Sequence, residues 1–458
     1  MNCVSPLGKI RTVVIICCFV LIVSIFGYAY FAVGSNDVVG KDEILNNIET
    51  LENEEFDYEY VSSYIKKYGI GNVNSYKFNS IEQQLENDFY KELPEEKELA
   101  KAVSLLFLEH FYDSVDLNDK EQVTDALLKC LFASIGDPYA YYRTQEEFAE
   151  YIGNLSGGNE FVGIGIMMNA ETLEILMVYP DSGASEAGIM ARDVIYAVEG
   201  KTLSDLPKEE LLGLLSGEAD TTVNVTVRRG DELLDFTVVR RLLTERSVYH
   251  TIEENETGLK IGVIQITQFL QDTYDQFVEA VDYCTENGAE ALVIDVRYNP
   301  GGLVNTTVLM IDYLVPDEED RVIASYVYQD EEILYYTSDG HSVDLPIAVI
   351  CNENSASSAE LFSGALQDFA KQGCIDAVVV GKTTYGKGVL QTSLTLYDYS
   401  GITYTIGYLN PPSGTNRDGI GIIPDFEVEE VPTIDAPMTR AFEEVIKLIN
   451  SDGMEAVA

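Results

Sequence analysis

The sequence predicts an α/β multidomain protein assembled from an N-terminal membrane helix, a helical unit, a β-rich domain and an α/β core. Three observations carry that prediction. Residues 13–33 form an almost unbroken apolar run, strand-like segments separated by glycine turns begin at Phe161, and from 244 to 432 apolar strand-like runs alternate with amphipathic helical ones. A chain of 458 residues, 46% of them hydrophobic, is long enough for two or three domains with cores of their own.

The apolar run "VVIICCFVLIVSIFGYAYFAV" is about the ~20 residues that a bilayer-crossing helix needs. Lys9 and Arg11 stand before it and acidic residues follow, so the positive-inside rule predicts a cytoplasmic tail over 1–9, an anchor over 10–33 and an extracytoplasmic remainder. A cleaved signal peptide is the alternative, but the run is long and no A-x-A site follows it. The 77 acidic residues against 29 basic ones give a net charge of -48, which repels phosphate backbones and argues against nucleic acid as a partner. Of seven cysteines, Cys3, Cys17 and Cys18 lie in or beside the anchor. Cys130, Cys284, Cys351 and Cys374 are scattered, without zinc-ligand spacing or a disulfide framework, and read as buried free thiols.

Residues 34–96, with "DEILNNIETLENEEFDYEY" and "LPEEKE", read as a solvated acidic stalk with some helix. Over 97–158, "KAVSLLFLEHFYDSV" and "VTDALLKCLFASI" have apolar positions at helical spacing and predict a helical unit closed by the turn "GDPYAYY". Residues 159–243 then give "FVGIGIMM", "ETLEILMVYP", "ARDVIYAVEGKTL", the helix "PKEELLGLL" and the strands "TVNVTVRRG" and "LLDFTVVRR". A lone G-I-G-I is only a strand start, but this whole succession resembles a PDZ domain of the type inserted in bacterial proteases. The resemblance implies that Gly163, Ile164, Gly165 and Ile166 present backbone N–H groups to the C-terminal carboxylate of a peptide, whose chain then extends a sheet edge. Residues 433–458 hold a helix, "PMTRAFEEVIKLIN", whose apolar face either pairs between subunits in a homo-oligomer or packs on the core.

In the core, 244–432, the apolar strand "IAVIC" runs into "NENSASSAELFSGALQDF". A serine at such a strand-to-helix turn stands over the positive end of the helix, whose N–H groups suit an oxyanion. From this stretch alone helix capping is the simpler account, since Ser357 and Glu360 form a formal capping box. A nucleophilic serine also needs a base. None of the three histidines, His110, His250 and His341, stands beside a motif. A lysine serves if it is desolvated enough to be neutral. Lys387, between Gly386 and Gly388 with Gln391 four residues on, fits that need, whereas Lys382 reads as a surface residue.

Four motifs, "DVRYNPGGLV", "NENSASSAELFSGALQDF", "VGKTTYGKGVLQ" and "GIIPDFEV", together with "GDPYAYY" ahead of the PDZ-like segment, resemble in content and order the C-terminal processing peptidases. These are tail-specific serine proteases with an inserted PDZ domain, and the resemblance runs from about 100 to 432. It implies that Ser357, three positions before the glutamate, is the nucleophile, that Lys387 is the general base, and that Gln391 orients it. It also implies an oxyanion hole from the backbone N–H groups of Gly301 or Gly302 and of Ser358. Two departures stand out. Ser358 and Ala359 exchange the family's alanine and second serine, which adds a hydroxyl beside the nucleophile, and an insertion around "AKQGCID" lengthens the path from Ser357 to Lys387. The expected protein is an anchored endopeptidase acting on proteins with exposed apolar C-termini, without metal or cofactor. The alternative is an inactive PDZ-containing scaffold that binds peptides.

Overall fold

The strands Ala291–Asp295 and Ile347–Cys351 are buried at every position, which is what a strand covered by helices on both faces requires. They belong to a computed structural model that describes residues 73–455 apart from 112, 117–118, 159, 170–171, 181, 256, 317–320, 329–331, 339–342 and 432–433. The expected membrane anchor and the first part of the stalk lie outside the described residues. Among the described ones, no helix is long and apolar enough to cross a membrane. The described residues separate into two units, one within 73–152, 326–333 and 389–408, the other of the remaining segments.

The larger unit is built on a six-stranded sheet. Its strands are β1 (Val248–Glu254), β2 (Lys260–Ile266), β3 (Ala291–Asp295), β4 (Ile347–Cys351), β5 (Ala377–Gly381) and β6 (Phe426–Glu427), in the order β6-β5-β4-β3-β2-β1. All neighbours are parallel except β1, which pairs antiparallel with β2. Alternate residues of β3 and β4 face opposite helical layers. Ala291, Val293, Ala348 and Ile350 pack with Ala441 and Val445 of α4 (Ala436–Glu455), so the C-terminal helix lies on the core. Helices α1 (Thr273–Glu286), α2 (Val304–Leu314) and α3 (Ser358–Lys371) meet through the rings of Phe277, Tyr313 and Phe362. Because β3, β4 and β5 are adjacent and parallel, the loops that leave their C-terminal ends emerge side by side.

The same unit contains the β-rich domain. The strand Thr222–Arg229 buries Val223, Val225 and Val227 in strict alternation, and these pack with Ile175, Ile195, Leu211 and Val238. Ile164 contributes its side chain to that core. Its carbonyl accepts from Ala184 N (2.9 Å), and the Gly165 carbonyl accepts from Tyr179 N (3.0 Å). Neither Ile164 N nor Gly165 N has an acceptor among the described residues.

The smaller unit departs from the expected layout. Within the segment read as a solvated stalk, Ser75–Asp88 form a helix whose Phe78, Ile81 and Leu85 are buried together with Phe89. Those apolar positions share one helical face, but the interleaved Glu82, Glu86 and Asp88 dilute the pattern in a hydropathy reading. The helices Glu96–His110 and Lys120–Ser134 share this core with Leu396, Ile402 and Tyr404. Tyr141–Arg143 pairs antiparallel with Gly401–Thr403. Strands expected in one core over 244–432 therefore divide between the two units.

Two buried ionisable groups mark this helix. Lys77, 2% exposed, reaches Asp398 (2.7 Å), Asp125 (3.0 Å) and the Tyr142 hydroxyl (2.6 Å). Burial alone would lower its pKa, and these hydrogen bonds overcome that and raise it. Glu82 is 6% exposed, and its Oε1 has no hydrogen-bond partner among the described residues. Burial, and the Glu86 carboxylate one turn on, push its carboxyl up from 4.5 to about 7. The folded chain then holds a proton that the unfolded chain releases between those two values, so stability is full below the lower one and falls as pH rises through the higher. A gap of this size corresponds to about 3 kcal/mol. Glu82→Gln is accordingly expected to raise the Tm at pH ~8 and leave it nearly unchanged at pH ~5. An equal difference at both values would show that this carboxyl is not the cause.

Candidate active site

Three loops meet at the end of the sheet, and the glutamate that follows the serine turn ties two of them. Ser357 is the N-cap of α3 and has φ 56° and ψ -117°, a strained backbone that costs a non-glycine residue on the order of 1–3 kcal/mol. Glu360, 4% exposed, receives four donors. Its Oε2 accepts from Ser357 N (2.8 Å) and Lys387 N (2.7 Å), and its Oε1 from Thr384 Oγ1 (2.6 Å) and Gly386 N (2.7 Å). One buried carboxylate thus links the serine turn after β4 to the lysine turn after β5. A further bond, Tyr385 N to Ser355 O at 3.0 Å, closes the same seam.

The hydroxyls separate the three serines. Ser355 Oγ donates to Val296 O (2.7 Å) and Ser358 Oγ to Gly302 O (3.0 Å). The half-buried Ser357 side chain faces the Glu360 N–H in a capping box, and among the described residues its hydroxyl donates to no carbonyl. The extra hydroxyl at 358 is therefore engaged with the glycine loop. Lys387 is also half-buried, and Lys382 pairs with Glu429 at 2.7 Å.

The glycine loop after β3 lies against the serine. A Cβ on Gly301 would stand 2.8 Å from Ser357 Cβ, and one on Gly302 would stand 2.1 Å from Phe269 O. Both glycines have positive φ, +100° and +141°, so close approach and conformation each demand glycine here. Gly301 N donates to Asn299 Oδ1 (2.8 Å), and Ala356 N donates to Asn299 O (2.9 Å). Gly302 N and Ser358 N have no acceptor among the described residues.

Other candidate residues belong to other elements. Gln391 belongs to the smaller unit, where its Nε2 donates to Tyr139 O at 2.7 Å in the "GDPYAYY" turn. His110 is exposed on a helix of that unit. His250 lies on the edge strand β1, its ring tilted 51° against that of Tyr283 with centroids 4.7 Å apart. His341 lies outside the described residues. Cys351 is buried at the end of β4, where burial pushes its thiol up to about 12. No group of three or more potential metal ligands occurs among the described residues. Helix α3 ends at Lys371 and β5 begins at Ala377, so the lengthened segment forms the turn between them. Sequence reasoning missed the tie made by Glu360 and the part of Thr384. The signal for Glu360 was present but read only as half of a capping box.

Residues 260–428 match the model of peptidase family S41, and residues 161–239 that of the PDZ domain. The chain belongs to the S41 peptidases that carry a PDZ domain. Within that class it is similar to the probable CtpA-like serine protease of Staphylococcus aureus strain COL, with 34% identity over 315 residues, 68% of this chain and 61% of the relative. The probable CtpA-like serine protease of Staphylococcus haemolyticus is 31% identical over 311 residues, 67% of this chain and 60% of the relative. The chain thus spans about three fifths of the length of these relatives. Among solved structures, the photosystem II D1 C-terminal processing protease superposes with a TM-score of 0.50 at 24% identity, covering 81% of this chain and 95% of the other. A putative S41 protease from Bacteroides fragilis gives 0.53 at 16% identity, covering 82% and 97%. At these identities the structures speak to the fold alone.

Proposed function

We propose that the chain is a serine endopeptidase in which Ser357 is the nucleophile and Lys387 the general base. The observation that carries this reading is the Glu360 carboxylate, which binds the backbone N–H groups of both residues through one oxygen, at 2.8 and 2.7 Å. Neutral Lys387 takes the Oγ proton as Ser357 forms a bond to the peptide carbonyl carbon. The oxyanion is received by Gly302 N and Ser358 N, the N–H groups left without an acceptor, while Gly301 N serves Asn299. The tetrahedral intermediate expels the amine, which leaves with the proton from Lys387. Lys387 then deprotonates a water that hydrolyses the acyl-enzyme. This sequence of steps requires no metal or cofactor. Gln391 stays in the proposal as the residue that orients the lysine, on the strength of the resemblance.

In the same reading the PDZ domain selects substrates by their exposed apolar C-termini. Support comes from Ile164 N and Gly165 N, which have no acceptor among the described residues, in a loop whose carbonyls are already bound. Holding a tail there raises the concentration of the attached chain near the dyad. The apolar run 13–33 supports a single-pass anchor in the cell membrane with the peptidase outside the cytoplasm.

The test uses the detergent-solubilised full chain, an unfolded protein substrate ending in small apolar residues, and the variants Ser357→Ala and Ser358→Ala. Cleavage is expected to vanish in Ser357→Ala and to persist in Ser358→Ala. Loss only in Ser358→Ala would move the nucleophile by one position. Absence of cleavage in the parent, with measurable binding of the C-terminal peptide, would replace the peptidase by the scaffold.

A further inference from the structure

The residue Glu430, between β6 and α4, accepts hydrogen bonds from both loops that carry Ser357 and the glycine pair. Tyr298, four residues before Gly302, has φ 59°, a left-handed backbone that an aromatic residue rarely adopts. Two hydrogen bonds fix it there. Its N–H donates to Asn352 Oδ1 (3.1 Å), and its hydroxyl donates to Glu430 Oε2 (3.0 Å). Asn352, 1% exposed, opens the serine turn, and its Nδ2 donates to Glu430 Oε1 (3.2 Å) while its Oδ1 also accepts from Asn354 N (3.1 Å). The carboxylate therefore closes a triangle whose other corners are the start of the glycine loop and the start of the serine turn. Its side chain is 23% exposed, and the Arg192 guanidinium stands 4.0 Å away.

We propose that Glu430 is a positioning residue of the peptidase site, fixing the glycine loop relative to the serine turn so that Gly302 N and Ser358 N converge on the same oxygen. The inference rests on the peptidase reading above. Without the carboxylate, Tyr298 loses one of the two bonds that hold its strained backbone, and the peptide planes that follow it rotate toward ordinary φ. Gly302 N then points away from the oxyanion, which develops only in the transition state, so the loss falls on kcat and spares KM.

The experiment measures kcat, KM and Tm for Glu430→Ala, Glu430→Gln, Tyr298→Phe and the Glu430→Ala/Tyr298→Phe double variant of the full chain, beside Ser357→Ala. Glu430→Ala and Tyr298→Phe are each expected to lower kcat about 10- to 100-fold with KM changed less than about twofold. The double variant is expected to be no worse than the more severe single one, because both break the same bond. Glu430→Gln is expected to recover most of the rate: its oxygen accepts from Asn352, and the tyrosine hydroxyl turns to accept from its amide. Full kcat in Glu430→Ala, multiplying losses in the double variant, or a loss that tracks a fall in Tm with no recovery in Glu430→Gln would overturn the proposal. Cleavage that survives Ser357→Ala would instead remove the peptidase reading, and this inference with it.

Discussion

Replacing Lys387 by methionine is expected to lower kcat about 10²- to 10⁴-fold, with KM and Tm close to those of the parent. The separation follows from which atoms do what. Glu360 holds the lysine by its backbone N–H at 2.7 Å, a contact that methionine at this position keeps. Methionine retains most of the volume of the stem and removes the amine, the proposed acceptor of the Ser357 proton. A serine without a base is a weak nucleophile at neutral pH. The residual rate then comes from binding and from the oxyanion donors, as in other serine peptidases that lose part of the catalytic set. Cleavage by the methionine variant at the parent rate would remove Lys387 from the mechanism.

Glu360→Ala is expected to be the most damaging single change outside the dyad, because it harms stability and rate together. The substitution leaves Ser357 N, Thr384 Oγ1, Gly386 N and Lys387 N without their acceptor in a site where Glu360 is 4% exposed. Buried donors that lose a charged acceptor cost on the order of 1–3 kcal/mol each, and because such losses are not additive, about 3–5 kcal/mol in total is expected. The rate falls as well, since the serine and lysine turns lose their common anchor. Here glutamine gives no rescue, in contrast to the expectation for Glu430. Either placement of the amide group turns two donors toward backbone N–H or hydroxyl donors, one of which, Thr384 Oγ1, already accepts from Ile422 N at 2.6 Å. Urea unfolding midpoints and kcat for the alanine and glutamine variants decide the matter. A glutamine variant with parental values in both would show that the tie is dispensable.

Much of the site was legible in the sequence because its parts are local. An apolar strand followed by small residues and a helix places Ser357 at a turn, and a lysine flanked by glycines after the next apolar strand gives Lys387. The glycine pair after "ALVIDVRYN" is equally plain. The alternating burial of Val223, Val225 and Val227 follows from a period of two that the sequence displays openly. The helix Ser75–Asp88 was harder, since its apolar face is interrupted by carboxylates, one of them buried. A composition reading assigns such a carboxylate to solvent.

The sequence by itself determined where the serine, lysine and glycine turns fall, in what order the strand-turn units come, and that a PDZ domain precedes the core, because each of these depends on neighbours a few positions apart. Only the tertiary structure decided how those units meet. It set β3, β4 and β5 side by side, gave strands of the expected core to the smaller unit, engaged the hydroxyl of Ser358 with Gly302, and made Glu360 the anchor of a turn 27 residues on. The bond from Tyr298 to Glu430 spans 132 residues. Hydrogen bonds of this range follow from strand order and from the close approach that glycines permit, and neither property is written in local spacing.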